Sequence, residues 1–184
     1  MSKFRAFIAL DIPSSQKITE LSNQIKNSGV NTKLVETENI HITLKFLGDT
    51  EEELIDKIED CIKESLENIK PFEIKLVGTG VFPNPGYIKV LWIGIKDNGE
   101  LKEIAKNINE KLSSLGFEKD GRGFSAHLTI ARVRSAKNKE KLVEIVEKYR
   151  ETEFATIKVE SIKLKKSELT PKGPIYTTTK EIKL

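Results

Sequence analysis

The sequence predicts a fold of strands and helices written twice, its two similar halves meeting around a cleft. Three observations carry that expectation. The 184-residue chain has two histidines, and each opens the same pattern, His41-Ile42-Thr43-Leu44 early and His127-Leu128-Thr129-Ile130 late. Each pattern sits on an alternating run with a strand and a helix before it and a helix after it. The later turns also correspond, Pro83-Asn84-Pro85-Gly86-Tyr87 in one half and Pro171-Lys172-Gly173-Pro174-Ile175-Tyr176 in the other. The length suits one domain or two intimately packed lobes, with room for a substantial core.

In the first half, residues 4–10 form a short apolar run that reads as a buried strand. Asp11-Ile12-Pro13-Ser14 then turns the chain into a helix whose apolar stripe is Ile18, Leu21 and Ile25. Residues 31–35 suggest a short strand. Residues 40–47 alternate, with Ile42, Leu44 and Phe46 on one face and His41, Thr43 and Lys45 on the other, and Gly48 is expected to end that strand. Thr50-Glu51-Glu52-Glu53 reads as a capping-box start for a helix carrying Leu54, Ile58, Ile62, Leu66 and Ile69, with Cys61 beside the stripe. Pro71 stops it, and residues 72–77 resume strand character. Residues 81–86 form a turn-rich link.

The second half repeats the order. Residues 87–95, including Trp92, form a strand that leads through Asp97-Asn98-Gly99 into a helix with Leu101, Ile104, Ala105, Ile108, Leu112 and Leu115, closed by Gly116. A glycine-flanked loop around Arg122 follows. Residues 126–133 are the second histidine strand, and the next helix carries Leu142, Ile145, Val146 and Tyr149. Residues 154–164 read as one strand, 169–174 as a turn and 175–182 as the last strand. Two units related by an approximate two-fold bring His41 and His127 to face each other.

Composition narrows the partners. With 31 basic and 28 acidic side chains, the formal charge of +3 is too mild for a protein that coats duplex nucleic acid by bulk charge, though a local basic cleft is compatible with it. Cys61 stands alone, so no internal disulfide is expected, and two histidines make a tetrahedral zinc site hard to assemble. No metal and no cofactor are expected. The N-terminal apolar run is broken by Arg5 and Asp11 and is too short for a signal core, and no stretch approaches the roughly 20 apolar residues that span a bilayer. A cytoplasmic protein with no membrane association and no protein partner is the expectation.

The chemistry follows from the doubled motif. Imidazole titrates near pH 6.5, so of two facing histidines one acts as base while the other, protonated, acts as acid. On a strand, residues i and i+2 share a face, which sets each threonine hydroxyl beside its histidine, able to donate to a phosphoryl oxygen. Facing copies bracket one phosphorus atom. Lys45 shares the face of His41 and Thr43 and is read as a phosphate-neutralising cation, the alternative being a solvated strand residue. Arg132 has the opposite parity from His127 and reaches the site only if its strand bulges or ends there. Arg5 and Arg122 are further cationic candidates. Trp92, Phe124 and Tyr87 are either core or platforms for a base, and Cys61 reads as packing.

The segments HITLKFLG, HLTIARV, FRAFIALDIP and KSELTPKGPIY together resemble the 2H phosphoesterase superfamily, specifically its RNA 2′,3′-cyclic phosphodiesterases, also called 2′-5′ RNA ligases. The resemblance covers essentially the whole chain. It implies an α+β fold, bilobal, with antiparallel-rich sheets lining a central cleft and helices outside, one HxTx motif per lobe in a single domain of residues 1–184. It implies hydrolysis of RNA 2′,3′-cyclic phosphate ends to 2′-phosphates without a metal, His41 matching the proton donor and His127 the proton acceptor. Thr43 and Thr129 would hold the phosphate, and Arg132 stands where the family commonly has an arginine. The residues alone leave the donor and acceptor assignment open, because a symmetric pair works in either direction. The family also implies reversible, ATP-independent 2′-5′ ligation and RNA partners such as transfer RNA fragments. The competing readings are a noncatalytic module that binds nucleotides or RNA ends and a 2H enzyme acting on 2′-5′ oligonucleotides.

Overall fold

In the computed structural model, which describes residues 2–135 and 137–184, two antiparallel sheets carry the chain. The strands are β1 (Lys3–Asp11), β2 (Thr32–Leu34), β3 (His41–Glu51), β4 (Phe72–Asn84), β5 (Tyr87–Lys96), β6 (His127–Val133), β7 (Glu153–Val159), β8 (Ser161–Thr170) and β9 (Gly173–Lys183). The helices are α1 (Gln16–Asn27), α2 (Ile55–Leu66), α3 (Glu100–Ser113) and α4 (Lys139–Lys148). One sheet has the order β3-β1-β8-β9 and the other β2-β6-β5-β4-β7. Each histidine opens its own strand, His41 in the first sheet and His127 in the second.

The two lobes are not the two halves of the sequence. β4, from the first half, lies in the second sheet, while β8 and β9 return to the first. Helices are exchanged as well. α1 links strands of the first sheet through β2, yet it packs on the second lobe, where the Ser15 hydroxyl donates to the Phe154 carbonyl (3.1 Å) and Lys17 Nζ to that of Glu153 (2.7 Å). α3 connects β5 to β6 within the second sheet but packs beside α2 on the first lobe, where Asn107 Nδ2 donates to the Ser65 carbonyl (3.3 Å). Each lobe is thus closed by a helix that the other lobe's strands send out. The buried apolar residues form one cluster that draws on both sheets and all four helices. No helix among the described residues is long and apolar enough to cross a membrane.

Most predicted stripes are the buried ones: Ile18, Leu21 and Ile25 in α1, Ile58, Ile62 and Leu66 in α2, and Leu101 to Leu112 in α3. Four boundaries differ for identifiable reasons. Gly48 does not end β3. It takes φ 69° beside Leu47, the extra residue of a bulge, and the strand continues to Glu51. The Thr50–Glu53 segment is therefore strand end followed by a single 3₁₀ turn, and α2 begins at Ile55. The link at 81–86 is mostly strand, since β4 runs to Asn84 and turns only at Pro85-Gly86 into β5. The run 154–164 is two strands, because the chain changes sheets at Glu160, a crossing that leaves no mark on period-2 alternation.

Ser15 caps α1, accepting from Ile18 N at 3.3 Å while donating to β7. Its loss removes an N-cap and an inter-element hydrogen bond together. Ser15→Ala is expected to lower unfolding free energy by about 1 kcal/mol in urea titration, with an unchanged m-value.

Candidate active site

The two histidines are held in the same way. His41 Nδ1 lies 2.6 Å from the carbonyl oxygen of Asn39, and His127 Nδ1 lies 2.9 Å from that of Ser125. A carbonyl oxygen only accepts, so each Nδ1 carries the hydrogen and each neutral ring keeps its lone pair on Nε2. The partner is the carbonyl two residues upstream in both cases, so each strand start orients its own catalytic candidate.

Aromatic side chains fix the ring planes. His41 is flanked by Phe7 (centroids 5.1 Å) and meets Tyr176 edge-on (5.3 Å). His127 meets Phe82 edge-on at 5.1 Å, and Phe82 leans on Trp92 at 5.1 Å. The Trp92 indole lies across Gly80, where a Cβ would fall 2.3 Å from the ring, so glycine is what lets the indole settle there. Trp92 therefore acts as a buttress behind His127 rather than as an open platform. Phe124 packs against the core, and Tyr87 is exposed in the β4–β5 hairpin with Lys89 over its ring.

Thr43 and Thr129 share the faces of their histidines, and immediately after each comes one extra residue. In β3, Thr43 pairs with Ala9 and Lys45 with the adjacent Ile8, leaving Leu44 bulged. In β6, Thr129 pairs with Trp92 and Ala131 with the adjacent Leu91, leaving Ile130 bulged. The first seven residues of the two strands consequently have identical burial, with two consecutive buried residues at Leu44-Lys45 and at Ile130-Ala131. The bulge shifts parity by one. Arg132 is turned onto the face of His127 and Thr129, and its charge is felt at His41 and Tyr176 in the opposite lobe. β3 and β6 approach each other across the two sheets.

The same shift corrects the expectation for Lys45, which leaves the histidine face. Its side chain is 1 % exposed, and Nζ donates to Asn109 Oδ1 (2.7 Å), the Glu118 carbonyl (2.7 Å) and Asp120 (3.2 Å). With its three donors engaged, Lys45 clamps β3 to α3 and to the loop 117–126 that leads into His127. In the place equivalent to Arg132, the first lobe presents Phe46, 70 % exposed. Arg5 pairs across from Asp49 on β1, and Arg122 is exposed in its loop.

Sequence reasoning missed a charged group beneath His41. Asp11 lies directly opposite His41 on β1, and its carboxylate accepts from Lys163 Nζ (2.8 Å) and from buried Lys165. Burial alone would raise the Asp11 pKa, but the two ammonium groups outweigh it and hold the carboxyl below its ordinary value. The i, i+2 spacing of Lys163 and Lys165 put them on one face, yet no pattern joined them to Asp11, which is distant in sequence. Burial is the first cause that lowers the His41 pKa; the Asn39 hydrogen bond opposes it, Lys165 adds to it, Asp11 opposes it and Arg132 adds to it.

The model of the AKAP7 2′5′ RNA ligase-like domain matches residues 6–184. An RNA 2′,3′-cyclic phosphodiesterase of Methanocaldococcus jannaschii is 48% identical over 179 residues, covering 96% of this chain and 99% of that one. A protein of the same name from Archaeoglobus fulgidus is 45% identical over 175 residues, covering 94% and 96%. Among solved structures, TT0787 of Thermus thermophilus superposes with a TM-score of 0.79 at 25% identity, covering 98% of this chain and 97% of that one.

Two outcomes follow from this geometry. In an NMR titration, the His41 ring protons are expected to shift with a midpoint below the ordinary imidazole value of about 6.5. A folded-state pKa below the unfolded one means that the unfolded chain binds this proton first, so His41's contribution to stability is full above that value and is lost as pH falls through the folded-state pKa. A midpoint at or above 6.5 contradicts the burial account. Lys45→Met strands the Glu118 carbonyl and loosens the loop 117–126. It is expected to cost about 1–3 kcal/mol of stability and to speed amide exchange at residues 118–120.

Proposed function

The chain belongs to the AKAP7 2′5′ RNA ligase-like family within the 2H phosphoesterases, and on that premise we propose that it opens 2′,3′-cyclic phosphates at RNA 3′ ends to leave 2′-phosphates. The observation that carries this reading is the twofold placement of an imidazole whose Nδ1 is committed to a carbonyl and whose Nε2 is available, each beside a threonine, with Arg132 between the lobes. The whole chain acts as one bilobal domain, each lobe supplying one His-x-Thr.

In the proposed reaction, His127 Nε2 takes a proton from water as its oxygen attacks phosphorus. The bond from phosphorus to O3′ breaks, and protonated His41 delivers its proton to O3′, leaving the phosphate on O2′. Thr43 and Thr129 donate hydrogen bonds to nonbridging oxygens, and Arg132 offsets the charge that builds there in the transition state. Burial first, and then Lys165 and Arg132, lower the pKa of His41, while the Asn39 carbonyl and Asp11 oppose them; a phosphate anion beside the ring joins the opposing side and favours the proton on Nε2.

The two lobes differ where chemistry needs them to. Arg132 draws the phosphate toward the second lobe, while Phe46 offers an apolar surface for the nucleoside on the first. That orientation sets the departing O3′ on the side of His41. Reversing the step with the 5′-hydroxyl of a second RNA in place of water gives a 2′-5′ linkage without ATP, and the concentration of water favours hydrolysis. RNAs with cyclic-phosphate ends, transfer RNA fragments among them, are the substrate class.

The test is hydrolysis of an RNA ending in a 2′,3′-cyclic phosphate, with chelator present and the position of the product phosphate determined. His41→Ala and His127→Ala are each expected to lower turnover roughly 10² to 10⁴-fold while the fold persists. Retained turnover in both variants, or a 3′-phosphate product, would overturn the mechanism.

A further inference from the structure

β2 is a three-residue edge strand whose only sheet partner among the described residues is β6, and its central residue is Lys33. Lys33 stands directly opposite Arg132 in the antiparallel register, so both side chains leave the same face of the sheet. That face is the one carrying His127 and Thr129 once the Ile130 bulge is counted. Leu34, the next residue, goes the other way into the core. Two cations directly across an antiparallel pair repel each other. Among the described residues neither Lys33 nor Arg132 forms an ion pair or a side-chain hydrogen bond, although most lysines buried near this cleft are tied to carboxylates or carbonyls.

Lys33 also reaches the other lobe. Its Nζ lies 3.2 Å from where a Cβ would stand on Gly173, the first residue of β9, and Asn39 Nδ2 donates to the carbonyl of the next residue, Pro174, at 3.4 Å. Its ammonium group therefore sits where the edge strands of the two sheets, β2 and β9, come together, one strand further out than Arg132. A side chain at position 173 would press on that group, and the glycine leaves it clear.

We propose that Lys33 binds a second phosphate of the substrate, the 5′ phosphodiester of the terminal nucleotide, while Arg132 engages the cyclic phosphate. The inference rests on the reading of the chain as a cyclic-phosphate hydrolase. Opposed residues in an antiparallel pair have Cα atoms about 4.5–5.5 Å apart, and two long side chains splay outward from them to a separation comparable with that of successive phosphates on one strand. Two uncompensated cations side by side match two successive anions, and only a chain of at least two phosphates supplies them. The consequence is selectivity for an RNA end over a free nucleoside 2′,3′-cyclic phosphate, which has the reacting group but no 5′ phosphodiester.

The experiment compares kcat/KM for an oligoribonucleotide ending in a 2′,3′-cyclic phosphate, the same oligonucleotide with a neutral methylphosphonate at its last internucleotide linkage, the 5′ phosphodiester of the terminal nucleotide, and a nucleoside 2′,3′-cyclic phosphate. The native chain, Lys33→Met and Lys33→Arg are measured together. The native chain is expected to prefer the charged oligonucleotide over its neutral-linkage form by about tenfold, and Lys33→Met to lose that preference, with Lys33→Arg retaining most of it. The slope of log kcat/KM against log salt for the charged oligonucleotide is expected to be shallower in Lys33→Met by roughly 0.7. A Lys33→Met variant that still discriminates the neutral linkage as the native chain does overturns the assignment, as does a native chain indifferent to that linkage. Absence of native turnover on all three substrates overturns the hydrolase reading itself, and this inference with it.

Discussion

One extra residue after each threonine, Leu44 in β3 and Ile130 in β6, determines what the cleft contains. A regular strand would carry His, Thr and then Lys45 or Ala131 on one face, giving a site with a cation on one lobe and a methyl group on the other. The bulge moves both of those residues inward and brings Phe46 and Arg132 out in their place. What Lys45 then does depends on the same displacement, since only from the inner face does its ammonium group reach Asn109 and the Glu118 carbonyl. A local backbone irregularity thus converts one motif residue from a candidate ligand into the clamp on the loop that delivers the second histidine.

The exchange of helices gives this arrangement its rigidity. α1 and α3 each leave one lobe and seal the other, so neither lobe has a complete core without chain from its counterpart. Two lobes bound only by a surface would rock against each other, and an acid and a base on opposite sides of a phosphorus atom do not tolerate much misplacement. Interleaving the units makes the separation of β3 and β6 a property of the core. Each imidazole is then fixed locally by its carbonyl and its aromatic neighbours.

Much of this was legible in the sequence because it is local. The apolar stripes of α1, α2 and α3, the alternation of the histidine strands and the pairing of each histidine with a threonine are all periodicities of 3.6 or 2. The placement of Arg132 was legible conditionally, through its parity and the requirement of a bulge. What escaped were features set by partners far away in the chain. The fate of Lys45 hangs on Asn109 and residues 118–120, the group under His41 joins Asp11 to Lys163 and Lys165, and the change of sheets at Glu160 leaves alternation undisturbed. The opposition of Lys33 to Arg132 belongs to the same class, because register between distant strands is invisible to periodicity.

Pseudo-symmetry by itself would leave the proposed reaction without a direction, since two equivalent histidines exchange roles freely. Direction arises where the duplicated frames hold different side chains. His41 sits over the Asp11, Lys163 and Lys165 group and between Phe7 and Tyr176, whereas His127 stands against Phe82 and shares its face with Arg132. Burial first, and then the fields of Lys165 and Arg132, weaken the hold of His41 on a proton. An anion beside such a ring favours its charged form, and a histidine with a lowered pKa gives up its proton more readily than a free imidazole. The lobe that carries the apolar Phe46 is also the lobe of His41, so in the proposed reaction nucleoside placement and proton donation fall on the same side of the cleft.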